Sequence, residues 1–209
     1  MIRFSIFGIP VQIQPWFWIS LAIIGGGGTA NTRDGILLLA LFILAGLISI
    51  LVHELGHALA GRAFGARSEI TLEAFGGMAS FAGVRFTRPQ HFIVTAAGPA
   101  AQMLFGAIIY LSIPDLFHLS SPAGHFWKVL TGISFGWAII NLLPVLPLDG
   151  GQLVNALLGP ARIKLTLWIT IVTAIGAALL IFTATQSILF PLFLGLFVWQ
   201  AWQALKQCD

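Results

Sequence analysis

The sequence predicts an all-α membrane protein, a polytopic bundle of about six transmembrane helices with a small membrane-associated β-sheet. Three observations predict it. First, 58% of the 209 residues are hydrophobic and 8% are charged, and the mean hydropathy of +0.96 lies outside the range of a soluble domain. Second, several apolar stretches reach the roughly 18 to 20 residues needed to cross a hydrocarbon core about 30 Å thick, with short polar or Pro/Gly breaks between them. Third, two short stretches outside these spans change to a period of two, the pattern of strands.

In chain order, residues 2–13 alternate in two phases, Ile2, Phe4 and Ile6 and then Ile9, Val11 and Ile13, with the switch at Phe7-Gly8. This predicts a strand pair or a bent strand. Residues 15–30 start with Trp16, Phe17 and Trp18 at interface composition and end in Gly25 to Gly28, which weakens any helix there. Residues 36–64 are apolar up to His53 and form the strongest helix pattern in the chain. In 66–86, Ile70, Leu72 and Ala74 alternate against Thr71, Glu73 and Phe75 until Gly76-Gly77 breaks the run, which predicts a small sheet or hairpin at the membrane surface. Further spans are expected at 89–113, with a kink at Gly98-Pro99, and at 127–149, running into irregular backbone at Pro144 and Pro147. Residues 150–159 read as a connector, followed by final spans at 163–185 and 188–205. The core spans are 36–64, 89–113 and 127–149; the others are peripheral.

Net charge is +3, but no dense Lys/Arg run is present, so the expected partner is the lipid bilayer and not nucleic acid. The lone Cys208 excludes an internal disulfide framework. The first residues lack the basic, apolar and small-residue pattern of a removable signal, and no repeat or soluble second domain is visible. If the N-terminus of a six-span chain is cytoplasmic, Arg3, Arg62, Arg67, Arg85, Arg88, Arg162, Lys164 and Lys206 lie inside, and Arg33 and Lys128 outside. That bias predicts a multi-pass cell-membrane protein with both termini cytoplasmic. His53, Glu54 and His57 then lie in the inner half of one span, and Asp149 at the inner end of another.

His53-Glu54-Leu55-Gly56-His57 is an H-E-x-x-H arrangement on a helix. Positions i and i+4 differ by about 40° around the axis, so both imidazoles can meet one tetrahedral zinc. Glu54, beside them, can take a proton from a metal-activated water and pass it to a leaving amine, which is the chemistry of peptide hydrolysis. Ionisable residues inside a span cost about 2.5 to 3.5 kcal/mol each on insertion scales, so three of them together ask for a compensating metal. Open zinc sites usually have three protein ligands, and Asp149 is the best third. Asp34 and Asp115 map to the outer side and Asp209 is the last residue. An ordinary turn aspartate in Leu148-Asp149-Gly150-Gly151 is the competing reading.

These residues resemble the site-2 protease family of intramembrane zinc metalloproteases, in a minimal form without a PDZ or other appended soluble domain. HELGH at 53–57, the Gly76-Gly77 stretch, and Asn141-Leu142-Leu143-Pro144 followed by Asp149-Gly150 carry the resemblance, the last matching the family's N-x-x-P-x-x-x-x-D-G pattern. It implies one transmembrane metalloprotease domain over 1–209, one Zn2+ per chain on His53, His57 and Asp149, and Glu54 as the catalytic base. It also implies that Asn141 lies near the site, where its amide supports an oxyanion or the substrate backbone. Gly98-Pro99-Ala100-Ala101-Gln102 is similar to a family G-P-x-x-N segment, with glutamine where asparagine is usual.

A transmembrane substrate helix hides its carbonyls in i to i−4 bonds, so it must unwind before cleavage. The 66–86 sheet is expected to receive it by edge pairing, with Gly76 and Gly77 permitting close backbone approach. The expected activity is hydrolysis in or near the transmembrane segment of a single-span membrane protein, by family analogy an anti-sigma or other membrane-tethered regulator. Two other classes compete: a zinc or proton transporter using the same His/Glu/Asp cluster, and an inert membrane scaffold.

Overall fold

The structure is a computed structural model that describes residues 1–208, the side chain of Thr29 excepted; Asp209, weighed above as a carboxylate, lies outside the described residues. Two compact units emerge, Met1–Arg85 with Ala97–Ala138, and Phe86–Ala96 with Ile139–Asp209.

The first unit contains a four-stranded sheet in the order β1-β2-β3-β4, made of β1 (Ile2–Ile6), β2 (Ile9–Ile13), β3 (Arg67–Glu73) and β4 (Gly76–Ala82). The phase switch at Phe7-Gly8 is a two-residue hairpin turn with Ile6 facing Ile9. Both turn residues have positive φ, 52° and 71°, the geometry whose twist suits a tight antiparallel hairpin. Arg62 donates to the Phe7 carbonyl and ties this turn to the helix that follows. β2 then runs parallel to β3, with Val11 opposite Ile70 and Ile13 opposite Leu72. Ile9, Val11, Ile13, Ile70 and Leu72 all point to one buried face, packed with Phe17, Leu21, Ile50 and Ala58. β3 pairs antiparallel with β4 from Arg67–Ala82 to Glu73–Gly76. The expected hairpin at 66–86 is therefore half of a larger sheet, because the N-terminal hairpin joins it.

α1 (Pro15–Ile24) has proline in its first turn, where the missing N–H costs nothing, and stops at the glycine run. With ten residues it is about 15 Å long, half of a hydrocarbon core. The expected span 15–30 is thus not a continuous helix. α2 (Arg33–Ala63) spans 31 residues. The Thr32 hydroxyl accepts from the Gly35 N–H at 3.1 Å to cap its start. Its end is a Schellman closure, Ala66 N–H to the Gly61 carbonyl and Gly65 N–H to the Arg62 carbonyl, with Gly65 at φ 88°. Small residues set its packing: a Cβ at Gly61 would fall 2.3 Å from the Phe81 ring on β4, and one at Gly46 would fall 2.9 Å from Leu21.

α3 (Arg88–Ser112) opens with a capping box in which Gln90 accepts from the Thr87 N–H, and it carries Pro99 internally. α4 (Pro122–Asn141) is capped by Ser121, whose hydroxyl accepts from the Gly124 N–H. The predicted core span 127–149 is corrected here: the helix ends at Asn141, because Pro144 and Pro147 cannot continue it, and Asp149 starts a new helix.

In the second unit the supposed connector 150–159 lies largely within that helix, α5 (Asp149–Leu158). It is followed by α6 (Ile163–Thr185) and α7 (Leu189–Lys206), which pack through Ala174, Leu194 and Phe197 at one level and Leu167, Ile171, Ala201 and Leu205 at another. Short helices are the hardest to read from periodicity, and α5 has ten residues. Among the described residues three helices are long and apolar enough to cross a membrane, Arg33–Ala63, Arg88–Ser112 and a stretch over Pro160–Thr185.

Arg88 donates to the Ala156 carbonyl through Nε and Nη2 and to the Leu157 carbonyl through Nη2, so a cation satisfies the last carbonyls of α5. The site is exposed, and Arg88→Ala should cost about 1 kcal/mol. Amide exchange over residues 156–162 should accelerate roughly fivefold while α6 beyond residue 166 stays protected; unchanged exchange would refute the anchoring role.

Candidate metal centre

His53 and His57 lie one turn apart on the same face of α2, as the i, i+4 spacing requires. Their Nε2 atoms are 3.1 Å apart and their rings stand edge to face. Ligands about 2.0 to 2.1 Å from a tetrahedral zinc are separated by about 3.3 Å, so the pair is nearly at ligand spacing. Both rings are buried, as is Glu54. The donor set suits zinc, and these two imidazoles are the residues that would hold it in this unit.

Gly98 on α3 makes the ring packing possible. A Cβ there would fall 2.2 Å from His57 Nε2. At the same crossing a Cβ on Gly56 would fall 2.4 Å from the Ala97 carbonyl oxygen, so glycine on α2 lets the helices approach backbone to side chain. Gly77 on β4 does the same for the base: its Cβ would fall 2.6 Å from Glu54 Cγ and 2.8 Å from Oε1. The glycine expected to admit a substrate strand thus first makes room for Glu54. Gly76, its neighbour at the start of β4, has ordinary contact distance to Trp137, 3.6 Å for an added Cβ.

The opposite nitrogen of His53 is also held. Nδ1 lies 2.9 Å from Gln102 Oε1, and Gln102 is completely buried on α3. Sequence reading recorded Gln102 only as a departure from a family pattern. The signal that pointed to it was a long polar side chain in an apolar span, four residues beyond Gly98 on the same helix face.

Asp149 and Asn141 belong to the second unit. Asp149 is the first residue of α5 and is 8% exposed. The loop before it folds tightly over the first turn. A Cβ on Gly150 would fall 2.2 Å from the Leu142 carbonyl oxygen, and one on Gly151 would fall 2.4 Å from the Leu146 nitrogen. The Leu146 N–H donates to Thr170 Oγ1 at 3.0 Å, fixing the loop to α6. Asp149-Gly150-Gly151 is therefore a backbone requirement as well as a chemical one. Asn141 ends α4, half-buried, just before this loop.

This is the architecture of a multi-pass membrane protein carrying a metalloprotease-type helix. Residues 36–116 match the Peptidase M50B-like family model and residues 118–183 match the Peptidase family M50 model. A Synechocystis protein assigned as a zinc metalloprotease is 33% identical over 170 residues, covering 73% of this chain and 42% of its own length. A zinc metalloprotease of Methanocaldococcus jannaschii is 29% identical over 156 residues, covering 74% of this chain and 44% of its own. The chain thus spans less than half the length of these relatives. The solved site-2 protease from Methanocaldococcus jannaschii shares the fold, with a TM-score of 0.63 over 98% of this chain and 94% of that one at 22% identity. The chain belongs to the site-2 protease family, peptidase family M50, whose metal is zinc.

Gly98→Ala should displace the His57 ring and weaken zinc binding at least about tenfold in competition with a chromogenic chelator. Gly132→Ala, where an added Cβ meets nothing within 4 Å, should leave it unchanged. Equal affinity in the two variants would refute the packing account.

Proposed function

We propose that this chain is a zinc metalloprotease domain that hydrolyses peptide bonds in or near the transmembrane segments of membrane proteins. The observation that carries the reading is the buried triad on α2: two imidazoles at ligand spacing with a glutamate between them, in a helix apolar and long enough to span. Asp149 is proposed as the third ligand. Its support is chemical: a buried carboxylate at a helix N-terminus, where the macrodipole favours the anion, in the family's D-G position. Bound zinc would polarise the scissile carbonyl and acidify a water. Glu54 would take the proton of the attacking water and deliver it to the departing amine, so that each strand end leaves neutralised. Asn141 would donate its amide N–H to the oxyanion or the substrate backbone.

The substrate proposal changes with the sheet order. β3 is paired on both sides, so the strand that offers an edge is β4, and β4 passes directly over Glu54 at Gly77. A substrate segment unwound from its helix would recover backbone hydrogen bonds by pairing there. A single-span, membrane-tethered regulator such as an anti-sigma factor is the proposed substrate class. Both termini are placed in the cytoplasm by the Lys/Arg distribution, and the site in the cytoplasmic half.

Glu54→Gln should retain one zinc per chain and lose at least about a thousandfold in cleavage of single-span substrates by the detergent-purified protein, while Asp149→Ala should lose the zinc itself. Zinc flux in vesicles without any proteolysis would replace this reading with that of a transporter. A proline scan of residues 77–80, one position at a time, should abolish cleavage at alternate positions with zinc intact, because only alternate N–H groups of an edge strand face outward. Uniform cleavage across the scan would exclude strand addition at β4.

A further inference from the structure

Behind His53 lies a buried polar chain that crosses three helices: Gln102 on α3, Ser49 on α2 and Ser134 on α4, all fully buried. Its direction follows from counting protons. The Ser134 hydroxyl donates to the Leu130 carbonyl, an acceptor only, at 2.7 Å. With that proton used, the 3.0 Å contact between the two serines requires Ser49 to donate. Ser49 Oγ then has lone pairs alone to offer, and Gln102 Nε2 donates to it at 2.9 Å and approaches the Ser49 carbonyl at 3.3 Å. The amide is thereby oriented with Oε1 toward His53 at 2.9 Å, so Nδ1 must carry the hydrogen. A neutral imidazole has one N–H, which leaves Nε2, the atom facing His57, with its lone pair.

The reversed chain is self-consistent in only one way. It would need the amide flipped, Nδ1 bare and the hydrogen on Nε2, and it would forfeit the bonds to the Leu130 and Ser49 carbonyls in a site closed to water. Two lost bonds at a dry site select the first arrangement. Ser49 lies one turn before His53 on α2, so the chain and the ligand share one helix face.

We propose that Gln102, oriented by Ser49 and Ser134, is a positioning residue that fixes the tautomer and ring plane of His53 and so sets the affinity of the site for zinc. The proposal rests on the zinc reading above. Partners of this kind govern ligand orientation and typically change metal affinity by about 10- to 100-fold. In this chain the longer glutamine reaches past its own helix to serine hydroxyls, so the orientation of the acceptor is itself specified by two further residues.

The test uses the full chain in detergent, with zinc titrated against a chelator and Co2+ as a spectroscopic probe. Gln102→Leu, of similar size without an acceptor, should weaken zinc about 10- to 100-fold and alter the Co2+ d–d bands. Ser49→Ala and Ser134→Ala should each weaken it less, by about 3- to 10-fold, because the amide remains but is free to turn. Gln102→Glu should bind zinc at least as tightly as the parent, since either carboxylate oxygen accepts from Nδ1–H. In metal-free protein labelled with 15N-histidine, His53 should be the Nδ1–H tautomer in the parent and a mixture in Gln102→Leu. Parent-like affinity in Gln102→Leu, or a loss in Gln102→Glu as large as in Gln102→Leu, would overturn the proposal. Should Gln102→Leu fail to fold, the two serine variants decide, and parent affinity in both overturns it. If the parent binds no zinc while folded, the metal reading itself falls, and the relay with it; if the parent binds zinc and His53→Ala does not, a null result in the relay variants sinks the relay alone.

Discussion

Two imidazole nitrogens 3.1 Å apart on adjacent turns of a buried helix impose the constraint around which the first unit is arranged. Two lone pairs aimed at one point repel, and in a site without water neither can turn to find another partner. A cation between them removes the conflict, provided each ring is kept from rotating. His57 is confined against Gly98, His53 is held from behind by Gln102, and Glu54 sits against Gly77. Each position is crowded enough that a single methyl group would overlap atoms already there. Smallness at residues 56, 77 and 98 and length at residue 102 are thus complementary answers to one requirement: close packing on one side of each ring and reach on the other.

The reactive residues were legible because chemistry restricts them to a helical spacing that sequence displays directly. The strands were legible too, since Ile9, Val11, Ile13, Ile70 and Leu72 carry a period of two into one buried face. Their pairing was not. Nothing in residues 2–13 says that β2 will lie parallel to β3 some sixty residues later, because register is fixed by packing on α1 and α2, which the alternation does not encode. Helix ends were missed where two signals compete. The apolar run through Leu142 and Leu143 argued for continuation to Asp149, but Pro144 and Pro147 force an exit, and Gly150-Gly151 then lets the chain turn back tightly over α5. Gln102 was seen but not understood, since a polar side chain in a span gains meaning only when its partners, 49 and 53 positions earlier in the chain, are known.

Non-helical backbone is costly near a bilayer because lipid offers it no hydrogen bonds, and the two units meet that cost differently. The second unit uses side chains: Thr170 takes the Leu146 N–H, and Gln152 donates to the Pro147 carbonyl. The first uses a sheet, which satisfies its interior strands but leaves outward-facing groups on β1 and β4. The two edges are not equivalent. β1 is largely exposed, whereas β4 is packed over α2, with Phe81 seated on Gly61 and Gly77 against Glu54. Covering side chains are the usual way to blunt an edge strand, and β4 begins instead with two glycines. An edge that remains uncovered beside a general base has a cost in stability, and that cost is offset when an extended chain pairs with it, which makes the same backbone groups that weaken the resting sheet the natural receptor for a peptide pulled out of its helix.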